Sequence, residues 1–263
     1  MSEVRFQHAA ATTYEQTMGL LSKQLAAQVL HAARLAPGQR VLDVASGTGL
    51  VAGAAAALIG PSGHVTATDI SPAMIEQARN NLGVHDNVSF AIEDAQSLTF
   101  PEHSFDAVTC GLGIMFFPGP AQAVGEFYWV LRPGGYAAIS ARPSASKTLV
   151  LRVLAAIDRH AQTQKARSGP VIFDGQEPRL RALFETAGFR DVETATEIRT
   201  FPYPSFDAYF GAIEQGAGLV GQEYIAQPET VRAAAREDIR RGLHDDGGPV
   251  QVAVEIIYAS GRR

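Results

Sequence analysis

The chain has 263 residues, of which 46% are apolar and 19% charged, so it is long enough and apolar enough to bury a substantial core. Its formal charge of −5 lacks the basic surplus of a nucleic-acid binder, which sets nucleic acid aside as a partner. The single cysteine, Cys110, excludes an internal disulfide and a cysteine-built zinc cluster, and fits a reducing cytosol.

Met1 to His8 lack the apolar centre of a signal peptide, and no apolar run reaches the roughly 20 residues that cross a bilayer. The expectation is a cytoplasmic protein with no membrane span. Along residues 5–36, Leu20, Leu21, Leu25, Val29 and Leu30 recur at helical spacing until Pro37-Gly38 closes the stretch, which predicts a helical N-terminal lid over 1–36.

From Val41 the pattern changes to strands separated by helices. Strands are predicted at 40–45, 64–69, 88–92, 105–110 and 135–141, with helices at 49–59, 72–82 and 119–131. That alternation predicts an α/β fold with a doubly wound, mostly parallel sheet, whose ligand-binding core spans 37–142. The last part, 143–263, reads as a long helix at 145–164, a Ser168-Gly169-Pro170 break, a helix at 177–187, and a strand at 191–201. Helices near 205–217 and 228–243 and a closing strand at 251–259 follow. Its helical stretches, about 143–175 and 202–248, are expected as cap insertions over the sheet's edge.

The first strand ends in Val41-Leu42-Asp43-Val44-Ala45-Ser46-Gly47-Thr48-Gly49, and an alanine-rich helix follows. Glycine lets backbone N–H groups approach a ligand, and a helix start adds donors and a positive dipole end. Asp43, at the strand's end, favours a ligand with a cationic group over a pyrophosphate. Asp69 ends the second strand and can accept from two ribose hydroxyls. Asp94-Ala95 ends the third, where a carboxylate and the next N–H suit an adenine edge. The fourth strand ends at Cys110-Gly111 before Leu112, Gly113, Ile114, Met115, Phe116 and Phe117, and Leu131-Arg132-Pro133-Gly134-Gly135 turns into the fifth. Ligands of open α/β sheets bind at these carboxyl ends. Gly47 to Ala52 with a later acid also matches the loose dinucleotide fingerprint. A nicotinamide cofactor, however, would set Asp43 beside its pyrophosphate and give Asp94-Ala95 no role.

The order Val41–Gly49, Asp69, Asp94-Ala95, Phe105–Gly111 and Leu131–Gly135 resembles the class I S-adenosylmethionine-dependent methyltransferases. It is most similar to the small-molecule branch that includes the quinone and sterol C-methyltransferases, through Asp69-Ile70-Ser71-Pro72-Ala73-Met74, Asp94-Ala95-Gln96-Ser97-Leu98 and Ser104-Phe105-Asp106. The resemblance implies a Rossmann-like methyltransferase fold, S-adenosylmethionine as cofactor and S-adenosylhomocysteine as product. It implies that Asp43 orients the methionine amino group, that Ala45, Ser46, Gly47, Thr48 and Gly49 line the methionine part, and that Asp69 holds the ribose. Ile70, Met74, Asp94 and Ala95 would surround the adenine, with the Cys110 carbonyl near the sulfonium.

The acceptor is expected to be a small, apolar or aromatic molecule, because Tyr14, Phe116, Phe117, Tyr203, Phe206 and Tyr209 give the crevice and lid an aromatic lining. Proton removal, where needed, has His8, His160 and His244 as candidates. The chain after strand four lacks the polar-Pro-Pro-aromatic tetrad of amide-type N-methyltransferases, and its acids are too scattered for a magnesium site, so no metal is expected. A homodimer is compatible with the sequence. The alternatives are a protein of the same fold that binds S-adenosylmethionine without transferring methyl, cyclase-like or regulatory, and, behind it, a NAD-dependent oxidoreductase.

Overall fold

The computed structural model describes residues 26–83, 85–142, 149–161, 176–216 and 218–263. Residues 26–32 are helical and bury Ala26, Val29 and Leu30; residues 1–25 of the expected lid, with His8 and Tyr14, lie outside the described residues.

Seven strands form one sheet in the order β3-β2-β1-β4-β5-β7-β6: β1 Arg40–Val44, β2 His64–Asp69, β3 Val88–Ile92, β4 Phe105–Gly111, β5 Leu131–Ala141, β6 Arg190–Tyr203 and β7 Val250–Arg262. The first five pair in parallel, and β7 enters antiparallel between β5 and β6. Strand order reverses between β1 and β4, and such a switch point opens a crevice at the strands' carboxyl ends.

The helices follow local chemistry. α1 (Leu50–Ile59) buries Ala52, Ala55, Ala56 and Ile59, and its small side chains let it lie close on the sheet. α2 (Pro72–Leu82) starts where Ser71 Oγ accepts from the Met74 amide and Pro72 supplies a preset φ. α3 (Pro120–Val130) runs straight into β5. The fifth strand is therefore longer than the expected 135–141, and its pairing with β4 shifts register between Phe105 and Ala107. Arg132 in that stretch pairs with Asp106 at 2.7 Å, and Asp106 also accepts from the Arg40 amide at 2.7 Å. This stitches the amino ends of β1, β4 and β5.

α5 (Glu177–Ala187) follows α4 (Leu149–His160) and buries Leu180 and Phe184 against the main core. The expected helix near 205–217 is α6 (Phe206–Glu214), which ends before Gly216 at φ +79°; a further helix that was not expected, α7 (Gly218–Ile225), follows it. α8 (Glu229–Gly242) completes the set. α4, α6, α7 and α8 enclose a second core of Val153, Ile157, Phe206, Phe210, Tyr224 and Ile239, with Val250 and Val252 of β7. Tyr203 and Val254 pack against both cores.

Candidate functional site

The site grows from β1. Asp43 is fully buried in a strand otherwise made of Val41, Leu42 and Val44. A carboxylate in that setting costs free energy unless its oxygens are engaged. The Thr109 hydroxyl of β4, in register with Asp43, donates to Oδ1 at 2.7 Å. The other oxygen, Oδ2, is buried with no hydrogen-bond partner, and so are Ser46 Oγ and Thr48 Oγ1 in the following turn. Burial pushes the Asp43 carboxyl up to about 7, with the Thr109 hydroxyl and the Ala52 amide opposing the rise and the Asp69 charge adding to it. Three orphaned oxygens at one turn are acceptors and hydroxyls suited to a ligand that brings its own polar groups.

The backbone here is tight. Gly49 has φ +89°, and a Cβ on it would stand 2.6 Å from Leu82 Cδ1. Ala45, after β1, and Leu112, after β4, take positive φ of 54° and 60°, a conformation that costs side-chain-bearing residues about 1 kcal/mol or more and gathers at binding sites. Between them the chain closes up: a Cβ on Gly113 would meet Ala45 Cβ at 2.5 Å and Cys110 Sγ at 2.9 Å.

Asp69 closes the next edge. Its Oδ2 accepts from the Gly47 amide at 3.0 Å and its Oδ1 from the Ser71 amide at 2.9 Å. One carboxylate thus couples the glycine turn to the start of α2, and burial raises its pKa against those two bonds. Ile70 beside it is 61% exposed, whereas Met74 is buried. Asp94 is exposed and takes the Gln96 amide on Oδ1 at 2.9 Å; Ala95 is buried. The carboxyl ends of β1, β2 and β3 therefore bring together Asp43, the Ala45–Gly49 turn, Asp69, Ile70 and Asp94.

Cys110 is fully buried, and burial with the Asp43 charge pushes its thiol far up, so the side chain stays protonated and is no nucleophile. Phe116, half-exposed, and Phe117, packed on the main core, follow it in a single 3-10 turn and its cap. Tyr203 lies where the two cores meet, with its ring centroid 5.1 Å from that of Tyr209. Phe206 is placed elsewhere. It is 1% exposed, stacked on Phe210 at 5.3 Å, under the guanidinium groups of Arg236 and Arg240. His160 joins Asp238 at 2.8 Å, pinning α4 to α8 beside the second core, and His244 turns the chain after α8 with φ 52°.

Several supporting residues carry no spacing signal. Thr109 is one. Asn81 donates to the Thr48 carbonyl at 2.9 Å, Ser140 Oγ accepts from the Leu112 amide at 3.1 Å, and the Gln96 side chain accepts from the Gly119 amide at 2.6 Å. A polar residue at a buried position of an apolar strand, as in Ala107-Val108-Thr109-Cys110, was the one available hint.

No group of three or more metal-ligating side chains occurs among the described residues, and no described helix is long and apolar enough to cross a membrane. Residues 41–135 match the family described as a methyltransferase domain. The ubiquinone/menaquinone biosynthesis C-methyltransferase UbiE of Hahella chejuensis is 42% identical over 101 residues, which are 37% of this chain and 41% of that protein. The chain thus spans less than half the length of that relative. In structure it is similar to Haemonchus contortus phosphoethanolamine N-methyltransferase 2, solved with S-adenosyl-L-methionine (TM-score 0.60, 17% identity, 97% of this chain and 57% of that one). It is also similar to the [4+2]-cyclase SpnF (TM-score 0.56, 20% identity, 91% and 81%). Fold and domain match agree: residues 41–135 match a methyltransferase domain and form the parallel part of a Rossmann-like sheet.

Proposed function

We propose that this protein transfers the methyl group of S-adenosylmethionine to a small apolar or aromatic acceptor in the cytoplasm, releasing S-adenosylhomocysteine. The observation that carries the reading is the buried, unpartnered Asp43 Oδ2 beside two unpartnered turn hydroxyls. A cofactor with an ammonium group satisfies that carboxylate, and a pyrophosphate does not.

When bound, the cofactor supplies an electrophilic methyl on a positively charged sulfur. Asp43 would hold its ammonium, and Ser46 and Thr48 its remaining amino-acid polar atoms. Asp69, still offering lone pairs beyond its two amide bonds, would accept from the ribose hydroxyls. Ile70 and Met74 would flank the adenine, with Asp94 and the Ala95 amide on its polar edge. The Cys110 carbonyl would face the sulfonium, and Phe116, Phe117 and Tyr203 the acceptor. Transfer then depends on in-line positioning and water exclusion.

A second reading, cofactor binding without methyl transfer, draws on one observation. Of the candidate bases among the described residues, His160 is committed to Asp238 and His244 turns the chain after α8, so neither is tied to the Asp43 turn by a hydrogen bond.

Calorimetry with S-adenosylmethionine, S-adenosylhomocysteine and NADH tests the cofactor. Micromolar binding of the first two and none of NADH is expected; the reverse sinks the reading. Formation of S-adenosylhomocysteine across a panel of phenols, quinols and carbon acids tests transfer, and no turnover with any of them favours the second reading.

A further inference from the structure

We infer that Thr109 is a positioning residue: its hydroxyl locks the Asp43 carboxylate so that Oδ2 is presented to the ammonium of a bound amino-acid group. The inference rests on the cofactor reading above and adds to it a residue from the neighbouring strand.

The geometry is fixed from two sides. Thr109 and Asp43 are register partners on parallel strands, so their side chains leave the same face of the sheet next to one another. Thr109 Oγ1 donates to Oδ1 at 2.7 Å with both residues fully buried. From the opposite strand, Thr68 Oγ1 donates to the Asp43 carbonyl at 3.2 Å. A carboxylate turns freely about its last bond unless one oxygen is held. Here the held oxygen is Oδ1, and the one left without a partner is Oδ2.

Thr109 also bears on charge. Its bond is the largest influence opposing burial at Asp43 and favours the ionised form, which is the form an ammonium requires. The titratable groups facing Asp43 are Asp69 of β2 and the Cys110 thiol of β4, while α1 presents no charged residue. Neither neighbour can replace the hydroxyl, since Asp69 raises the Asp43 pKa and Cys110 stays neutral.

Because Thr109 acts through Asp43, its effect must be confined to the amino-acid half of the ligand. S-adenosylhomocysteine contains that half and 5′-methylthioadenosine lacks it. Calorimetry of both ligands on wild type, Thr109→Val and Thr109→Ser is the test. Thr109→Val is expected to weaken S-adenosylhomocysteine about ten- to hundredfold and to change 5′-methylthioadenosine less than twofold. Thr109→Ser, which keeps the hydroxyl, is expected to restore most of the loss. Equal loss of both ligands means general loosening of the crevice and overturns the inference; so does an unchanged affinity for S-adenosylhomocysteine.

A pH series from 5.5 to 8.5 adds a readout that packing alone would not move. Wild-type affinity for S-adenosylhomocysteine should fall as pH drops through about 7, and Thr109→Ser should keep that midpoint. A midpoint that moves upward in Thr109→Ser overturns the inference even if Thr109→Val fails to fold. Failure of wild type to bind S-adenosylhomocysteine at all overturns the cofactor reading itself, and the role of Thr109 with it.

Discussion

The sheet's carboxyl edge and what we call the cap, the helices α4, α6, α7 and α8 around the second core, solve opposite problems with similar means. At the edge, Asp43, Ser46 and Thr48 keep buried oxygens without partners, and Ala45 and Leu112 sit at positive φ. In the cap, Phe206, Tyr209, Phe210 and Ile213 follow the i, i+3, i+4, i+7 spacing of one helix face and are all buried in a common core. Around it Arg236 meets Glu214 at 2.9 Å, Arg240 meets Asp245 at 2.8 Å, and Asp238 collects Arg159, His160 and Arg241. The edge holds polar capacity in reserve and is less stable for it; the cap is apolar within and closed by ion pairs outside. At the edge three unpartnered oxygens gather at one turn, where a ligand can use them together; in the cap Arg232 and Arg240 each leave an Nε without a hydrogen bond, but both guanidinium groups stand in ion pairs, with Glu229 and Asp245.

The sharpest way to break this contrast is to damage the cap and ask whether the edge notices. Phe210 is fully buried between Phe206 and Tyr224, with ring centroids 5.3 and 5.4 Å away. Phe210→Ala should cost about 3–5 kcal/mol in denaturant unfolding, while calorimetry of the folded fraction gives an unchanged S-adenosylhomocysteine affinity. A parallel fall in affinity would mean that the two cores act as one.

How much of this could be read from the residues differs between the two regions for a physical reason. At the edge, the apolar run Val41–Val44 followed by Gly47 and Gly49, and acids ending β2 and β3, leave local marks, because strand ends and tight turns demand particular residues. β1 to β4, α1 and α2 fall within a residue or two of their expected bounds, whereas β5 begins four residues early. Contacts between strands leave no such mark. Thr109 sits inside a strand, and its partner lies 66 positions away. The antiparallel entry of β7 is equally silent in sequence, since pairing direction depends on the path of the helices before it. In the cap the aromatic content was plain but its address was not. Phe206 was expected beside Phe116 and Phe117 in an aromatic lining, yet the helical period that it shares with Phe210 and Ile213 turns it into the cap's core. The helix α7 went unseen because its eight residues lie among several glycines in a stretch of mixed polarity.

A second experiment sets stability against binding inside the edge itself. The folded pKa of Asp43, about 7, lies above its ordinary 3.8. Between those values the folded state holds a proton that the unfolded chain has released, so stability from this group is present at low pH and lost as pH rises through about 7. Asp43→Asn removes the ionisation. At pH 8 the ligand-free variant should be more stable than wild type, by an amount on the order of 4 kcal/mol from the size of the shift, and the difference should nearly vanish by pH 4. Its affinity for S-adenosylhomocysteine should nevertheless fall by about 2–3 kcal/mol, the loss of a charged hydrogen bond. A variant that is less stable at pH 8, or that binds normally, would show that Asp43 is not held in reserve for a cation.

Asp69 offers a finer contrast, because its carboxylate already serves the fold. Asp69→Ala removes the bonds to the Gly47 and Ser71 amides as well as any to a ribose. It should weaken S-adenosylhomocysteine and 5′-methylthioadenosine alike, each by about 1–3 kcal/mol, since both contain the ribose. Calorimetry showing loss for the first ligand alone would move Asp69 from the ribose to the amino-acid half.

The smallest effect is expected where the cap's charges face solvent. Asp238 is held below the ordinary carboxylate range chiefly by its bond to His160, and then by Arg159. A lowered carboxylate pKa contributes stability above the unfolded value and loses it as pH falls through the folded one. Asp238→Asn keeps an acceptor oxygen for His160 and gives up only the charge, in a cluster where Arg159 and Arg241 are mostly exposed. Exposed pairs are screened by water and salt. The substitution should therefore cost less than about 1 kcal/mol at pH 7, shrink further in 1 M salt, and fade only as pH falls below the ordinary carboxylate value of 3.8, as read by thermal unfolding. S-adenosylhomocysteine binding should not change. A loss of several kcal/mol would mean that the seam between α4 and α8 is held by charge rather than by Val153, Ile157 and Ile239, and the division of labour between apolar cap and polar edge would have to be redrawn.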